Sequence, residues 1–235
     1  MTSLILFDID GTLIHSGGAG TRAMNQTLEA LTGIVDGFAS VNCAGKTDIQ
    51  IIREAFANLG LDSGSHFVER FLEHYPSHLR PAVVNPRGHV KPGVERLLQR
   101  LEEHDGCYLG LLTGNLESGA RIKLGPYGLN RFFPFGAFGS DEEDRNKLLP
   151  VAVRRFKELQ GIEVAYRDCL VVGDTPRDVD CAAPYGAACL AVATGPYSME
   201  VLEAAGADLV LHDLSDTERI VSWIDEHFRD RTAAP

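Results

Sequence analysis

The sequence has no surplus of positive charge, no paired cysteines and no long apolar run, and each absence removes a class of function. With 22 Lys and Arg against 33 Asp and Glu, the formal net charge is −11. The chain therefore lacks the basic face that a nucleic-acid backbone requires. Five cysteines, Cys43, Cys107, Cys169, Cys181 and Cys189, are scattered, odd in number and never spaced C-x-x-C, which argues against a disulfide framework or a zinc ribbon and fits a reducing compartment. Cys107, Cys169 and Cys189 lie in or beside apolar runs and are expected as small core residues. The first apolar stretch is too short for a signal peptide, and no run reaches the length of a membrane span. The expected setting is the cytoplasm, with no nucleic-acid or membrane partner. A small anionic ligand stays open, because a few Lys and Arg side chains beside a divalent cation can bind one phosphate on an acidic protein.

What the 235 residues do carry is a series of short apolar runs that end in small or acidic residues. Leu4 to Phe7 runs into Asp8, Tyr108 to Leu112 into Thr113-Gly114-Asn115, and Leu170 to Val172 into Gly173-Asp174. Cys189 to Val192 and Leu209 to Leu211 are weaker copies. Helical patterns lie between them, such as Pro92 to Leu101 with Val94, Leu97, Leu98 and Leu101 on one face. Alternation of this kind predicts a doubly wound, Rossmann-like parallel sheet. The interval between the first two runs is far longer than one crossover helix needs. Within it, Ala23 to Leu31, Asp48 to Leu59 and Phe67 to Leu79 read as amphipathic helices. The expected organisation is an α/β core of residues 1–15 and 89–235 with an inserted α-helical cap of residues 16–88, hinged near Gly17-Gly18 and Pro86-Arg87-Gly88. Trp223 and Ile224 are expected in the core, and the polar tail Arg229 to Pro235 is expected to fray.

Three strand ends carry polar groups suited to one task. In open α/β sheets, ligands bind beyond the carboxyl ends of the strands. Asp8 and Asp10 would repel each other there unless a cation or a shared proton compensates. Thr113 followed by Gly114 and Asn115 suits a phosphoryl group, since a hydroxyl and open backbone N–H groups can donate to its oxygens. Asp174 and Asp178 add carboxylates, enough with the first pair to hold an octahedral Mg2+ that keeps some waters.

Taken in order, Asp8-Ile-Asp10-Gly-Thr-Leu, Thr113-Gly-Asn and Gly173-Asp174-Thr-Pro-Arg-Asp178 resemble the haloacid dehalogenase-like hydrolase superfamily, in its phosphoglycolate phosphatase-like branch with a helical cap. The resemblance implies that Asp8 is a nucleophile forming an aspartyl-phosphate and Asp10 a general acid that later activates water. It implies Mg2+ held by the Asp8 side chain, the Asp10 backbone carbonyl and Asp174, with Asp178 ligating or fixing the waters. It further implies that Thr113 and Gly114 hold the phosphoryl oxygens. One element departs from the family pattern, which places a Lys, often followed by Pro, before the third motif. Here the cation must be Arg145 or Lys147, and Arg145 is favoured because it lies nearer the strand-like Phe135 to Phe138 and could fork onto a phosphoryl oxygen and an Asp.

Family resemblance also places a substrate-selecting loop near Gly45-Lys46-Thr47-Asp48. Lys46 could meet a carboxylate or second polar group of the substrate, or be a plain surface lysine with Thr47 or Asp48 capping the helix. His15, nearest the first motif, is a candidate to line the cleft, while His66, His74, His78 and His89 read as surface positions. The activity expected is a magnesium-dependent phosphomonoesterase acting on a small phosphorylated metabolite. A dehalogenase is disfavoured because it needs neither metal nor a second acid. A sugar-phosphate mutase, a phosphonate hydrolase and a noncatalytic binding protein on the same fold are the alternatives. Neither the identity of the metabolite nor the oligomeric state is legible in the residues.

Overall fold

The runs expected as strands become one parallel sheet in the computed structural model, which describes residues 2–61 and 64–230. In chain order the strands are β1 (Ser3–Phe7), β2 (Ile14–His15), β3 (His89–Val90), β4 (Cys107–Thr113), β5 (Gly136–Phe138), β6 (Cys169–Gly173), β7 (Ala188–Val192) and β8 (Leu209–Leu211). The large sheet runs β5-β4-β1-β6-β7-β8, and all its pairings are parallel. Successive residues of a strand face opposite ways, so each run feeds two cores. Ile5, Phe7, Leu111, Leu170 and Val172 join one buried cluster, while Leu4, Leu6, Leu112, Cys169 and Val171 join the other.

Helices α4 (Val94–Glu102), α5 (Glu117–Leu124) and α9 (Thr217–Asp230) cover the first face through residues such as Leu97, Leu98, Leu124, Ile224 and Phe228. Helices α6 (Leu148–Gln160) and α7 (Pro176–Ala182) cover the second, and the short α8 (Met199–Ala204) lies beside β8 at the sheet edge. Burial on both faces is why the strands read as nearly continuous apolar runs. Ile224 is buried as expected, and Trp223 packs against the same cluster while only partly covered. Cys107 departs from expectation: it is half-buried, with its sulfur 3.4 Å from His104 Nδ1. The tail expected to fray lies, from residue 231 on, outside the described residues, and α9 takes in Arg229 and Asp230.

Between β2 and β3 the chain leaves the sheet and forms α1 (Ala19–Thr32), α2 (Asp48–Asn58) and α3 (Ser65–Ala82). These helices share their own buried cluster, in which Phe71 meets Phe38, Phe56 and Tyr75. The first helix starts four residues before its apolar pattern, because Gly17 and Gly18, at φ 64° and 78°, turn the chain directly into it. The third runs past its expected end at Leu79, through Pro76 and Pro81. Each proline removes one backbone donor, but Phe71, Tyr75 and Leu79 are fully buried and hold that face in register.

The two links to the insert lie side by side. Ile14 pairs with Val90 and His15 with His89 in an antiparallel ribbon. Asn85 Nδ2 donates to Ser16 O at 3.1 Å, and Arg22 bonds both Gly17 O and Ala82 O, the latter at 3.0 Å. A Cβ at Gly17 would collide with the Asn85 side chain, so glycine is needed there for close approach as well as for its dihedral.

Candidate active site

Strand β1 lies between β4 and β6, with Phe7 level with both Leu111 and Val172. β1 ends there, β6 one residue later at Gly173 and β4 two later at Thr113, which brings Asp8, Thr113 and Asp174 together at the carboxyl edge of the sheet. They border a cavity of about 510 Å³. Asp10, Gly114, Asn115, Arg145 and Lys46 line it as well, and His15 stands at its wall. The sequence-predicted residues thus share one space, apart from two. Asp178 stands directly behind the site, fully buried, and Lys147 is exposed on the turn that precedes α6.

Arg145 is the cation that reaches the acids. Its guanidinium is ion-paired with Asp178 and stands 3.5 Å from Asp8 Oδ1. It is buried, and these two carboxylates hold its charge more firmly than that of an ordinary arginine, despite the opposing effect of burial. Its Nε is buried with no hydrogen-bond partner, a donor left over. Asp178 is fully committed: Oδ1 takes Arg145, and Oδ2 accepts from Thr175 N and Thr175 Oγ1 at 3.0 and 2.9 Å, closing the capping box of α7. Asp174 accepts from Thr12 Oγ1 at 2.9 Å and is wedged between Gly11 and Gly195, where any Cβ would strike its carboxylate.

The acids feel opposite fields. Burial pushes Asp8 up to about 6, with Asp178 adding to the shift and Arg145 opposing it. Asp174 rises well above the carboxylate range, through burial first and then the charges of Asp8 and Asp178. Asp10 goes the other way: burial would raise it, but Lys123 and Asn115 together hold it below the ordinary value.

Sequence reasoning missed Lys123. Its Nζ lies 2.5 Å from Asp10 Oδ2 and 2.5 Å from Asn115 Oδ1, and Asn115 Nδ2 donates to the same Asp10 oxygen at 3.0 Å and to Thr113 Oγ1 at 2.9 Å. A signal was present. On α5 and its N-cap, Leu116, Ala120, Lys123 and Leu124 share one face by helical spacing, and all four are buried. A lysine on an apolar face demands a partner.

The insert meets the site at the loop before α2. Thr47 is the N-cap of that helix, with Gln50 completing a capping box, and Thr47 Oγ1 also donates to Glu143 O at 2.8 Å. Asp48 is buried and turns toward the sheet. Its backbone N donates to Gly114 O at 2.7 Å, and its Oδ2 accepts from Leu116 N at 2.8 Å, so it grips the Thr113-to-Leu116 turn from both sides. Burial pushes the Asp48 carboxyl up to about 6 in spite of Lys123 nearby. Lys46 lines the cavity with its ammonium ion-paired to Glu54 of α2.

The donor set suits a hard divalent cation. Asp8, Asp174 and Asp178 each offer a carboxylate oxygen within 4.8 Å of the others, a set of hard oxygen ligands. Since Asp178 is occupied by Arg145 and Thr175, Asp8 and Asp174 are the better placed ligands, with Asp178 behind them.

Comparison with known proteins agrees with this geometry. The pattern of haloacid dehalogenase-like hydrolases matches residues 2–186. A phosphoglycolate phosphatase of Rhodospirillum rubrum is 32% identical over 92% of this chain and 89% of its own. One from Pseudomonas savastanoi pv. phaseolicola is 28% identical over 91% and 78%. Among solved structures, a predicted phosphoglycolate phosphatase from Haemophilus somnus superposes with a TM-score of 0.70 at 19% identity, covering 94% of this chain and 98% of that one. A CbbY variant from Rhodobacter sphaeroides in complex with xylulose-1,5-bisphosphate gives 0.73 at 18%, covering 92% and 96%. At such identities the structures speak for the fold alone.

Proposed function

The chain belongs to the haloacid dehalogenase-like hydrolase family, and on that footing we propose that it is a magnesium-dependent phosphomonoesterase of a small phosphorylated metabolite, phosphoglycolate or an ester of similar size. The observation that carries this reading is the convergence of Asp8, Asp10, Asp174, Arg145 and Thr113 on one cavity at the carboxyl edge of the sheet. A dianionic phosphate repels a carboxylate nucleophile, so donors and cations must offset charge before attack. The Arg145 guanidinium beside Asp8 and the Thr113 hydroxyl supply part of that. The Asp8 side chain, the Asp10 backbone carbonyl and Asp174 would hold Mg2+, which when bound would supply the rest by neutralising charge on the transferred group.

Asp8 attacks phosphorus, the ester P–O bond breaks, and the leaving oxygen takes a proton from Asp10, whose carboxylate, held ionised at rest by Lys123 and Asn115, must first take up that proton from solvent. Asp10, now a carboxylate, removes a proton from the water that hydrolyses the aspartyl-phosphate. Residues 16–88 act as a cap over this chemistry, carried on the β2–β3 ribbon, with residues 1–15 and 89–235 as the core. Lys46 reads the non-phosphate end of the substrate, with Glu54 holding it in place. The relatives' names support a phosphoglycolate-like substrate.

The test is phosphate release from a panel of phosphorylated metabolites with Mg2+ and with chelator. Release that needs the metal and is highest for a short carboxylated ester is the expected result. No release from any ester would sink the reading. A rearranged sugar phosphate without free phosphate would point instead to a mutase, and cleavage of a C–P bond to a phosphonate hydrolase.

A further inference from the structure

We infer that Lys123, which no family motif contains, is the positioning residue for Asp10, and that the helical insert presses it into place. The inference rests on the phosphatase reading above. Asp10 is partly open to the cavity, and a carboxyl so exposed has several side-chain rotamers available. Here one oxygen is fixed by a fork: Lys123 Nζ and Asn115 Nδ2 both donate to Oδ2, and Lys123 ties Asn115 in turn through Oδ1. With Oδ2 so held, Oδ1 is the oxygen that turns to the leaving group.

The lysine is itself trapped. It is 5% exposed, on a helix whose neighbours Ala120 and Leu124 are fully buried. Over its ammonium lies Gly20 of α1, where a Cβ would come within 3.3 Å of Nζ. From the same side Tyr75 and Leu79 of α3 lie over α5 at Gly119, where even an added Cβ would stand 3.6 Å from each, in ordinary contact. The insert therefore forms a lid on Lys123 as well as a wall of the cavity, and Gly20 leaves the room this requires.

A positioning residue for a general acid has a kinetic signature that a structural lysine lacks. When the ester P–O bond breaks to an alkoxide, the leaving oxygen needs the Asp10 proton. When it breaks to 2,4-dinitrophenolate, no proton is needed. The experiment uses the full chain with Mg2+ and Lys123→Met. It compares steady-state turnover of an alkyl phosphate with the first-turnover burst of dinitrophenolate from dinitrophenyl phosphate, read by stopped flow. The expected result is a loss of about 10²-fold for the alkyl ester, within the usual range for a placed acid, and a burst rate that stays near the parent's.

Equal losses on both esters, or none on either, would overturn the inference while leaving the phosphatase reading intact. A parent protein inactive on both would overturn the two together. Should Lys123→Met fail to fold, Gly20→Ala decides, since it favours the helix and presses closely only on the far end of Lys123, with the Tyr75 hydroxyl in ordinary contact at 3.6 Å. It should lower alkyl-ester turnover several-fold with the burst preserved, and an unchanged ratio in that variant counts against the role.

Discussion

The floor of the cavity and its roof are built on opposite terms. On the floor, Asp8, Asp174, Asp178 and Arg145 are buried, and their carboxylates and guanidinium are held by strand ends, Thr12, Thr175 and one another. The roof, made by α1, α2 and the loop between them, presents Met24, Cys43 and Ile51 beside the ion pair of Lys46 with Glu54. It reaches the floor chiefly through Thr47 and Asp48. A floor so closely restrained suits a reaction whose geometry never changes. A roof with few polar contacts can be altered from one substrate to another without disturbing the chemistry beneath.

That contrast can be broken first at the floor. Asp8→Asn should keep the fold and abolish turnover, because the amide is isosteric and a poor nucleophile. Measurable phosphatase activity in a well-folded variant would show that the phosphoryl group is not passed to Asp8. Arg145→Ala should lower kcat for every ester by about 10²–10³-fold, the scale of one lost charge-stabilising donor, whereas Lys147→Ala should leave all of them within about twofold. The reverse pattern would move the role to Lys147.

Asp48, where roof meets floor, comes next. Asp48→Ala leaves Leu116 N without its acceptor and should weaken inhibition by inorganic phosphate about 10-fold, the measure of one buried hydrogen bond. Asp48→Asn can keep that bond and should bind phosphate as the parent does. The same pair probes pH. In the folded protein Asp48 titrates at about 6 against an ordinary 3.8, so between those values the folded state retains a proton that the unfolded state has released. Raising the pH through that window therefore costs stability. Asp48→Asn should gain on the parent from about pH 4 to about pH 6, by at most about 3 kcal/mol, with no further change above. Denaturant melts across that range would reveal a flat difference if Asp48 does not titrate there.

The smallest effect belongs to the roof alone. Lys46→Ala should lower kcat/KM several-fold on the preferred metabolite and leave an aryl phosphate nearly untouched. Equal losses on both would mean that Lys46 reaches the phosphoryl group or braces the insert through Glu54.

Legibility in the sequence divides along the same line. Strands buried on both faces announce themselves as apolar runs, and the groups at their ends are fixed by the next residues in the chain, so Asp8, Thr113 and Asp174 could be placed before any coordinates. Arg145 could be narrowed to two candidates but no further, because a turn of three residues carries no period to say which side faces inward. Lys123 and Asp48 were hidden for another reason. Each is ordinary in its own helix, and the partner that gives each its role, Leu116 N for Asp48 and Asp10 for Lys123, lies more than sixty residues away in the chain.

By itself, then, the sequence determined the order of strands and helices, the interruption after β1 and the carboxylates at the strand ends, since these depend on local period and on neighbours in the chain. Only the tertiary structure decided that Arg145 enters the site and Lys147 does not, that Lys46 is paired with Glu54, and that Lys123 grips Asp10 beneath Gly20. A buried charge takes whichever partner the folded chain brings within reach, and desolvation penalises every charge left without one.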